Sequence, residues 1–343
     1  MGDLEALILA RVPQTEYGKL CLVNKRFLSL VKSGEIYRIR RHIGVREPTV
    51  FMLAAGAHNW WAFDRRFDRL RTLPLLPADD SFRNGDKETF CAGTHLLVSG
   101  KELGVSVVWR YDLVHNRWLR GPSMISPRSL FAGVTCGSFV YVAGGVSQTV
   151  IGAEAECLSS AERYNPESGE WEVLPSMHRK RRNCAGCYMD DRFYVIGGRN
   201  DRDGALTCAE AYDAERSTWE LIPHMLEHAP ALAPPLLAAV NNELYSLDAS
   251  TNQLKVYVKR SNSWRNLGPA PVIAGSAGGW GVAFKSLGDE LLVIGGSRDA
   301  YVGRGMIYTC QPDPKAEVLN WRSLEYGDNQ LNPFILNCSV MFT

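Results

Sequence analysis

One short pattern recurs along this chain roughly every 50 residues. In its clearest copies an aromatic residue stands seven positions before a tryptophan, and a proline stands four positions after it. An apolar run ending in Gly-Gly precedes the copies centred on Trp171 and Trp219. The pattern occurs six times if a degenerate first copy and a last copy with wider spacing are included. The tryptophans are 53, 48, 45 and 57 residues apart: Trp118, Trp171, Trp219, Trp264 and Trp321. Such a period indicates a repeat fold.

Within each copy the hydrophobic pattern is that of short strands. Residues 193–196 form an apolar run that Gly197-Gly198 ends, since glycine lets the backbone turn sharply. Residues 209–212 alternate between apolar and polar, and 219–222 follow as a third strand. We expect the tryptophan and the aromatic seven residues before it to meet across one hairpin, as structural residues.

The two ends of the repeat array predict how it closes. The first copy starts at Val50 without the strand that precedes this point in other copies, and residues 334–341 form an apolar strand without a blade. Adding that strand to the first blade removes two exposed edges. We therefore predict a mainly β, six-bladed propeller over residues 47–343. Its blades are predicted at 50–77 with 334–343, 90–124, 129–177, 183–225, 232–271 and 279–326.

Residues 1–46 have a helical period instead. The pattern predicts three short helices: one that stops at Val12-Pro13, one that Thr15 caps and Gly34 ends, and a third over 35–43. In the third helix the isoleucines share one side, and the basic residues, including Arg40, surround the rest. So small a unit buries little by itself, so we expect it to pack on a partner or on the propeller.

Three segments of this region resemble the F-box of the plant F-box/kelch family: residues 9–13 (LARVP), 20–27 (LCLVNKRF) and 30–40 (LVKSGEIYRIR). The six repeats carry that family's Gly-Gly, Tyr and Trp. F-boxes of the family typically open with a Leu-Pro pair before the first helix. This sequence starts too late to contain that pair, so the F-box is expected to be N-terminally incomplete. The resemblance implies a kelch β-propeller preceded by a short α-helical F-box.

The resemblance also implies a function. The F-box would dock on a Skp-type adaptor, and through it a cullin, while the propeller would bind an unknown target protein for ubiquitination. The protein would be a non-catalytic specificity subunit of an SCF-type ubiquitin ligase. Two alternatives stay open: a kelch scaffold without ligase recruitment, and a propeller enzyme. Residues that contact the adaptor, or form the helical core beneath it, are Leu7, Val12, Pro13, Leu20, Val23 and Phe27.

Candidate target-binding residues lie in the loops that follow each Pro-x-Met. Arg128 and Arg181 stand four residues after Met124 and Met177. Kelch propellers that capture degradation signals use arginines in equivalent loops, because the planar guanidinium binds carboxylates or phosphates with two hydrogen bonds. The alternative is a structural arginine that binds loop carbonyls. The same loops supply three further candidates: Arg182, His228 and Trp280. For Trp280 and the Trp60-Trp61 pair, packing is the alternative role.

Composition narrows the class of partner. The formal net charge of the 343-residue chain is +1, so no global attraction to nucleic acid or membrane is expected, although residues 178–182 form a basic run. That run is either a solvated loop or a nuclear import signal. Nine irregularly placed cysteines, an acidic start and no long apolar run predict an intracellular protein with reduced thiols, in the cytoplasm or nucleus.

Three motifs invite enzymatic interpretations. Residues 224–228 match the H-x-x-E-H pattern of a zinc peptidase, but prolines follow them and the repeat predicts a loop rather than a helix. Cys184 and Cys187 form a lone C-x-x-C within a predicted strand. Residues 275–281 are glycine-rich but open a strand, whereas a phosphate-binding loop opens a helix. The sequence predicts no metal and no cofactor.

Overall fold

The repeats form a ring of six antiparallel blades, as the sequence predicted. The computed structural model describes residues 2–147, 155–228, 233–273, 279–297, 305–324 and 331–343. Each blade contains four consecutive hydrogen-bonded strands, here called inner, second, third and outer. Neighbouring inner strands contact one another around the axis, so the ring is closed.

In that order, the strands of blade 1 are Ile335–Phe342, Pro48–Ala54, Trp61–Phe63 and Leu70–Thr72. Those of blade 2 are Glu88–Ala92, His95–Glu102, Val105–Asp112 and Arg117–Arg120. Blade 3 contains Ala132–Cys136, Phe139–Ala143, Ala161–Asn165 and Glu170–Leu174.

Blade 4 contains Ala185–Met189, Arg192–Ile196, Ala209–Asp213 and Thr218–Ile222. Blade 5 contains Leu236–Val240, Glu243–Asp248, Gln253–Val258 and Ser263–Pro269. Blade 6 contains Ala283–Leu287, Glu290–Ser297, Gly305–Cys310 and Arg322–Leu324. Shorter strands at the blade ends are Arg128–Ser129, Val146–Ser147, Arg199–Asn200, Gly204–Ala205 and Val272–Ile273.

The repeated aromatics hold blades 2, 3 and 4 together and fasten each of them to the blade before it. Tyr212 lies directly opposite Trp219, and their ring centroids are 5.2 Å apart. The indole N–H of Trp219 donates to the carbonyl of Pro175, the proline of the preceding repeat, at 2.7 Å. Trp118 and Trp171 make the same bond to the preceding repeat's proline. The spacing therefore encodes both a ring pair and an inter-blade hydrogen bond.

The Gly-Gly pair forms the sharp turn that ends the second strand in only some copies of the repeat. In blade 4, Gly197 and Gly198 have φ of 66° and 87°, a region that favours glycine. A Cβ on Gly198 would lie 2.6 Å from the carbonyl oxygen of Arg182, so a side chain would push the neighbouring loop away. In blade 6 the corresponding Gly295 and Gly296 continue the second strand instead. The hydrogen-bonded ladder to the third strand extends through them.

The ring closes through the C-terminal strand, as predicted. Pro48–Ala54 pairs antiparallel with Ile335–Phe342, from Pro48 opposite Phe342 to Ala54 opposite Ile335. The register shifts between Leu53 and Ala54. Residues nearly 300 positions apart thus complete blade 1, which leaves no unpaired edge at this joint.

The N-terminal region is more finely divided than the sequence predicted. Its helices are α1 (Gly2–Leu9), α2 (Tyr17–Val23), α3 (Lys25–Lys32) and α4 (Glu35–His42), with a 3₁₀ turn at Gln14–Glu16. The predicted second helix is two helices, because Asn24 is extended and its side chain accepts a hydrogen bond from the amide of Phe27 at 2.9 Å. The prediction that Thr15 caps a helix is wrong, since the cap of α2 is Glu16 and makes no side-chain bond. A fifth helix, α5 (Asp80–Asn84), lies between blades 1 and 2.

Arg40 joins the helices to the propeller. The prediction that it lies away from the isoleucine side of its helix is wrong: it follows Ile36 by one helical turn, shares its face and is fully buried. Its guanidinium donates to the carbonyls of Ala10 and Val12 in the helical region. It also donates to the main-chain oxygen of Thr343, which follows the C-terminal strand of the propeller. Apolar side chains of the helices also share one core with blades 1 and 2. The helices therefore pack on the propeller, as their small size required.

The two ends of the blades differ in what they carry. The turn face holds the inner-to-second and third-to-outer turns, and the helices lie on it: Arg41 donates to Ser138 Oγ at 3.0 Å, and Gly34 lies beside Val114. The loop face, at the other end, holds the connections between blades and between second and third strands. No helix within the described residues is long and apolar enough to cross a membrane.

Candidate functional site

All five predicted target-binding residues belong to inter-blade connections at the loop face, but the structure divides them into two groups. Arg128 and Arg181 are buried, with relative exposures of 1% and 0%. Arg182 is half-buried, and His228 and Trp280 are exposed. The face is thus shared between residues that build it and residues that a partner can reach.

Arg181 is bonded on several sides. One guanidinium nitrogen donates to the carbonyls of Gly197 and Cys208, at 2.9 and 3.0 Å. The other donates to the carboxylate of Glu210 at 2.8 Å, and both side chains of this ion pair are fully buried. Glu210 in turn accepts hydrogen bonds from the amides of His178 and Arg179. The pair therefore ties the connection between blades 3 and 4 to the third strand of blade 4.

Arg128 repeats this arrangement one blade earlier. It donates to the carbonyls of Gly144 and Ser160 and pairs with Glu162 at 2.6 Å. Burial lowers the pKa of Arg128, and the negative charge of Glu162 opposes that shift. Glu162 also accepts from the amides at positions 125 and 126. Two successive repeats thus each contain a buried Arg–Glu pair that fixes the loops of this face.

This burial contradicts the prediction that Arg128 and Arg181 bind a target directly. Their hydrogen-bonding groups are directed at loop carbonyls and a buried carboxylate, as the structural alternative proposed. A partner could reach them only if the loops opened and left the glutamate unpaired, which is costly in a buried site.

Sequence reasoning did not assign the two glutamates. The repeat could have identified them, because Glu162 and Glu210 occupy the same repeat position, two residues before the tyrosine. In blade 5 that position is Lys255, whose ammonium pairs with Glu227 of the inter-blade connection at 2.6 Å. The same contact therefore persists there with the charges exchanged, in a more exposed setting.

The accessible part of the loop face is charged and mixed in sign. Arg182 pairs with Asp201 at 3.1 Å, and Arg179 and Lys180 of the same basic run also face carboxylates, those of Asp203 and Glu156. Trp280 is 45% exposed and His228 is exposed. The basic run is therefore largely matched by acidic side chains rather than forming a bare cationic surface.

The helical region separates the predicted adaptor-contact residues by environment. Val12, Leu20 and Phe27 pack against the core that the helices share with the propeller. Leu7 is half-buried, Pro13 is exposed, and Val23 is 64% exposed.

Further exposed apolar side chains were not among those candidates. They are Leu4 (65%), Ile8 (58%) and Leu22 (87%). Helical spacing places Leu4 and Ile8 on one face of α1, and that pattern could have identified them. An ion pair between Glu5 and Arg26, at 3.0 Å, joins α1 to the start of α3 beside these residues. We call Leu4, Ile8, Leu22 and Val23 the helical apolar surface.

Two of the three motifs that suggested enzymes lack the geometry or chemistry that such sites need. His224 lies in a turn with a φ of 52°, so 224–228 is not helical. Burial raises the pKa of Cys184 to about 11 and that of Cys187 to about 12, which disfavours their thiolates. All nine cysteines fall in described segments and are unpaired. Among the described residues no three His, Cys, Asp or Glu side chains cluster as metal ligands would. Of the glycine-rich stretch, residues 275–278 lie outside the described ranges.

Comparison with known proteins agrees with this architecture. The Kelch motif family model matches residues 127–178 and 180–226, which cover blades 3 and 4. The F-box/kelch-repeat protein At3g27150 of Arabidopsis thaliana is 49% identical over 99% of this chain and 82% of its own length. Two more Arabidopsis relatives are F-box/kelch-repeat proteins At1g26930, 38% identical over 97% of this chain and 80% of the relative, and SKIP11, 40% identical over 97% and 72%. With this identity across helices and propeller alike, the chain belongs to the F-box/kelch-repeat protein family.

Proposed function

We propose that this protein is the target-recognition subunit of an SCF-type cullin ubiquitin ligase, acting in the cytoplasm or nucleus. One observation carries the proposal: the helices lie on the turn face with apolar side chains left exposed, while the inter-blade loops lie on the opposite face. A Skp-type adaptor bound to the helices would leave the loop face open to a target protein. The protein would then supply proximity rather than covalent chemistry.

The helical apolar surface is the proposed adaptor contact. Leucine and valine exposed at 87% and 64%, as Leu22 and Val23 are, contribute little to the stability of the free protein. Their burial against a partner would contribute about 25 cal/mol per Å² of apolar area. The half-buried Leu20 and Phe27 would support this surface from beneath.

The test is co-purification of the full chain with a Skp-type adaptor. Leu22→Asp/Val23→Asp is expected to weaken binding at least tenfold, equivalent to about 1.4 kcal/mol. Val173→Asp is a matched control, because Val173 is 69% exposed on an outer propeller strand far from the helices in sequence. Failure to bind the adaptor, even when an N-terminal segment with the family's Leu-Pro pair is added to the chain, would falsify the ligase proposal and leave the scaffold alternative. Equal loss with Val173→Asp would show that the helical surface is not the contact.

The loop face is the proposed target contact, with Arg182, His228 and Trp280 as its accessible candidates. Proximity labelling in cells can compare the unaltered protein with a His228→Ala/Trp280→Ala variant. We expect a subset of labelled proteins to depend on these two side chains and to persist with Val173→Asp. If the labelled set is the same for all three proteins, the target binds elsewhere.

A further inference from the structure

The axis of the propeller contains a cavity of about 300 Å³ that opens at the turn face. Its wall is formed by inner strands, and α4 and the segment after it form its rim. This volume lies at the lower end of the range of small-molecule sites in proteins. Hydroxyl groups contribute much of its polar lining: among them Thr135, Ser286 and Ser339.

Charge is distributed unevenly around this cavity. Its lining includes three cationic side chains, Arg41, Arg46 and Lys285, and no aspartate or glutamate. Low-dielectric walls that carry one sign of charge concentrate the opposite sign. Thr343, the last residue of the sequence, also lies at the rim. Its carboxylate accepts hydrogen bonds from Gln14 at 3.0 Å and from the buried guanidinium of Arg40 at 3.3 Å, so Arg40 balances this negative charge. The side-chain chemistry of the cavity therefore favours an anion.

Lys285 is the most informative of the three cations. It lies on the inner strand of blade 6, half-buried, and makes no hydrogen bond or ion pair with any described residue. Its charge reaches the buried thiols of Cys91 and Cys338, where it opposes the rise in pKa that burial causes. The ammonium thus faces the cavity near the inner strands of two neighbouring blades. No carboxylate of the described residues balances its charge, so an anion in the cavity would act as its counter-ion.

The two arginines are also available. Arg46 is exposed and has no ion pair with any described residue. Arg41 contacts Ser138 Oγ at 3.0 Å and Glu167 at 3.2 Å, but Glu167 is 74% exposed, so this pair is weak and can be exchanged.

We propose that the axial cavity binds a small phosphate-bearing anion. Arginine offers phosphate a planar, two-point donor, lysine a point charge, and the hydroxyls further hydrogen bonds. Arg41 and Arg46 belong to the helical region and the segment that leaves it, whereas Lys285 belongs to blade 6. The bound anion bridges the helices and the propeller and strengthens their docking. This site is independent of adaptor binding and of the loop face.

Calorimetric titration of the full chain with inorganic phosphate and with pyrophosphate tests the site. Saturable binding is expected, tighter for pyrophosphate, with a rise in Tm that chloride at equal ionic strength does not reproduce. Lys285→Gln is expected to weaken pyrophosphate at least tenfold, and Arg46→Gln, an exposed position that should not affect folding, several-fold. Lys315→Gln is the control, because Lys315 is exposed on the same blade and does not line the cavity.

Three outcomes would overturn the proposal. They are the absence of saturable heat, unchanged affinity in both Lys285→Gln and Arg46→Gln, and equal stabilisation by citrate, which would indicate general anion screening rather than recognition of phosphate. The Tm of each variant without anion shows whether it is folded, so loss of binding is distinguishable from loss of structure.

Discussion

Replacing Arg181 by alanine is expected to destabilise the propeller strongly. The substitution removes the bonds to the carbonyls of Gly197 and Cys208 and leaves the fully buried carboxylate of Glu210 without its guanidinium. Among the described residues, Glu210 would then retain as partners the amides of His178 and Arg179 and the exposed imidazole of His178. Breaking a buried ion pair from one side costs about 3–5 kcal/mol.

That loss converts to a measurable change in melting temperature. With an unfolding entropy of about 2.1 cal/mol/K per residue, about 300 propeller residues give ~0.6 kcal/mol/K, so ~4 kcal/mol lowers Tm by ~6 °C. Arg192→Ala is the matched control, because Arg192 pairs with Glu220 at 2.6 Å in the same blade while the side chain of Glu220 is 64% exposed. An exposed pair contributes about 0–1 kcal/mol, so Tm should fall by less than ~2 °C.

Differential scanning calorimetry of both variants decides the matter. The double variant Arg181→Met/Glu210→Met should be less destabilised than the sum of its single variants, because it leaves no unpaired buried charge. If Arg181→Ala lowers Tm no more than Arg192→Ala does, Arg181 is not an anchor of the fold. Its role as a direct target contact would then be open again.

One deletion and two substitutions test other parts of the structure. Deletion of residues 334–343 removes the closing strand of blade 1 and should lower Tm by more than 10 °C or abolish soluble expression, judged by thermal melting; an unchanged melt would contradict the closure. Leu103→Asn should stabilise the protein by about 0.5–1 kcal/mol, measured by urea titration, because Leu103 has a φ of 48° and is 82% exposed, a combination that suits asparagine. A loss of stability would show that this leucine has packing contacts of its own. Burial raises the pKa of Glu88 to about 7, above its unfolded value, so its contribution to stability is most favourable below about pH 4.5 and is lost as pH rises toward 7. Glu88→Gln should therefore exceed the unaltered protein in stability by about 1–2 kcal/mol at pH 8 and match it near pH 4.5, whereas a pH-independent difference would contradict the raised pKa.

The blade scaffold was largely readable from the sequence. Tyr212 and Trp219 stand seven residues apart, and a hairpin with a tight turn is the structure that brings both to one sheet position. The closing strand was also predictable. The C-terminal apolar strand had no blade and the first blade had no inner strand, so pairing the two removes both exposed edges. The helical region was less predictable, since the division at Asn24 depends on a cap of a single side chain.

In the candidate site, the sequence predicted which loops carry arginines but not which of these arginines are buried. Loop position alone does not distinguish an arginine that faces solvent from one that faces a carboxylate. Arg181 and Arg182 are neighbours in the chain, yet the first is fully buried and the second is half-exposed. Only the fold brings Glu210, some 30 residues away in sequence, to one of them and not the other.

The sequence by itself determined the number of blades, the aromatic pairs and the pairing of the first and last strands of the propeller, because these follow from the spacing of the repeats and the alternation of apolar side chains. Tertiary structure alone decided which charged residues are structural, that the helices lie on the turn face through Arg40, and that Lys285 faces an axial cavity without a carboxylate. The physical reason is the range of the interactions. Strand pattern is set by neighbours along the chain, whereas the burial and ion pairing of a charge depend on residues that only the closed ring brings together.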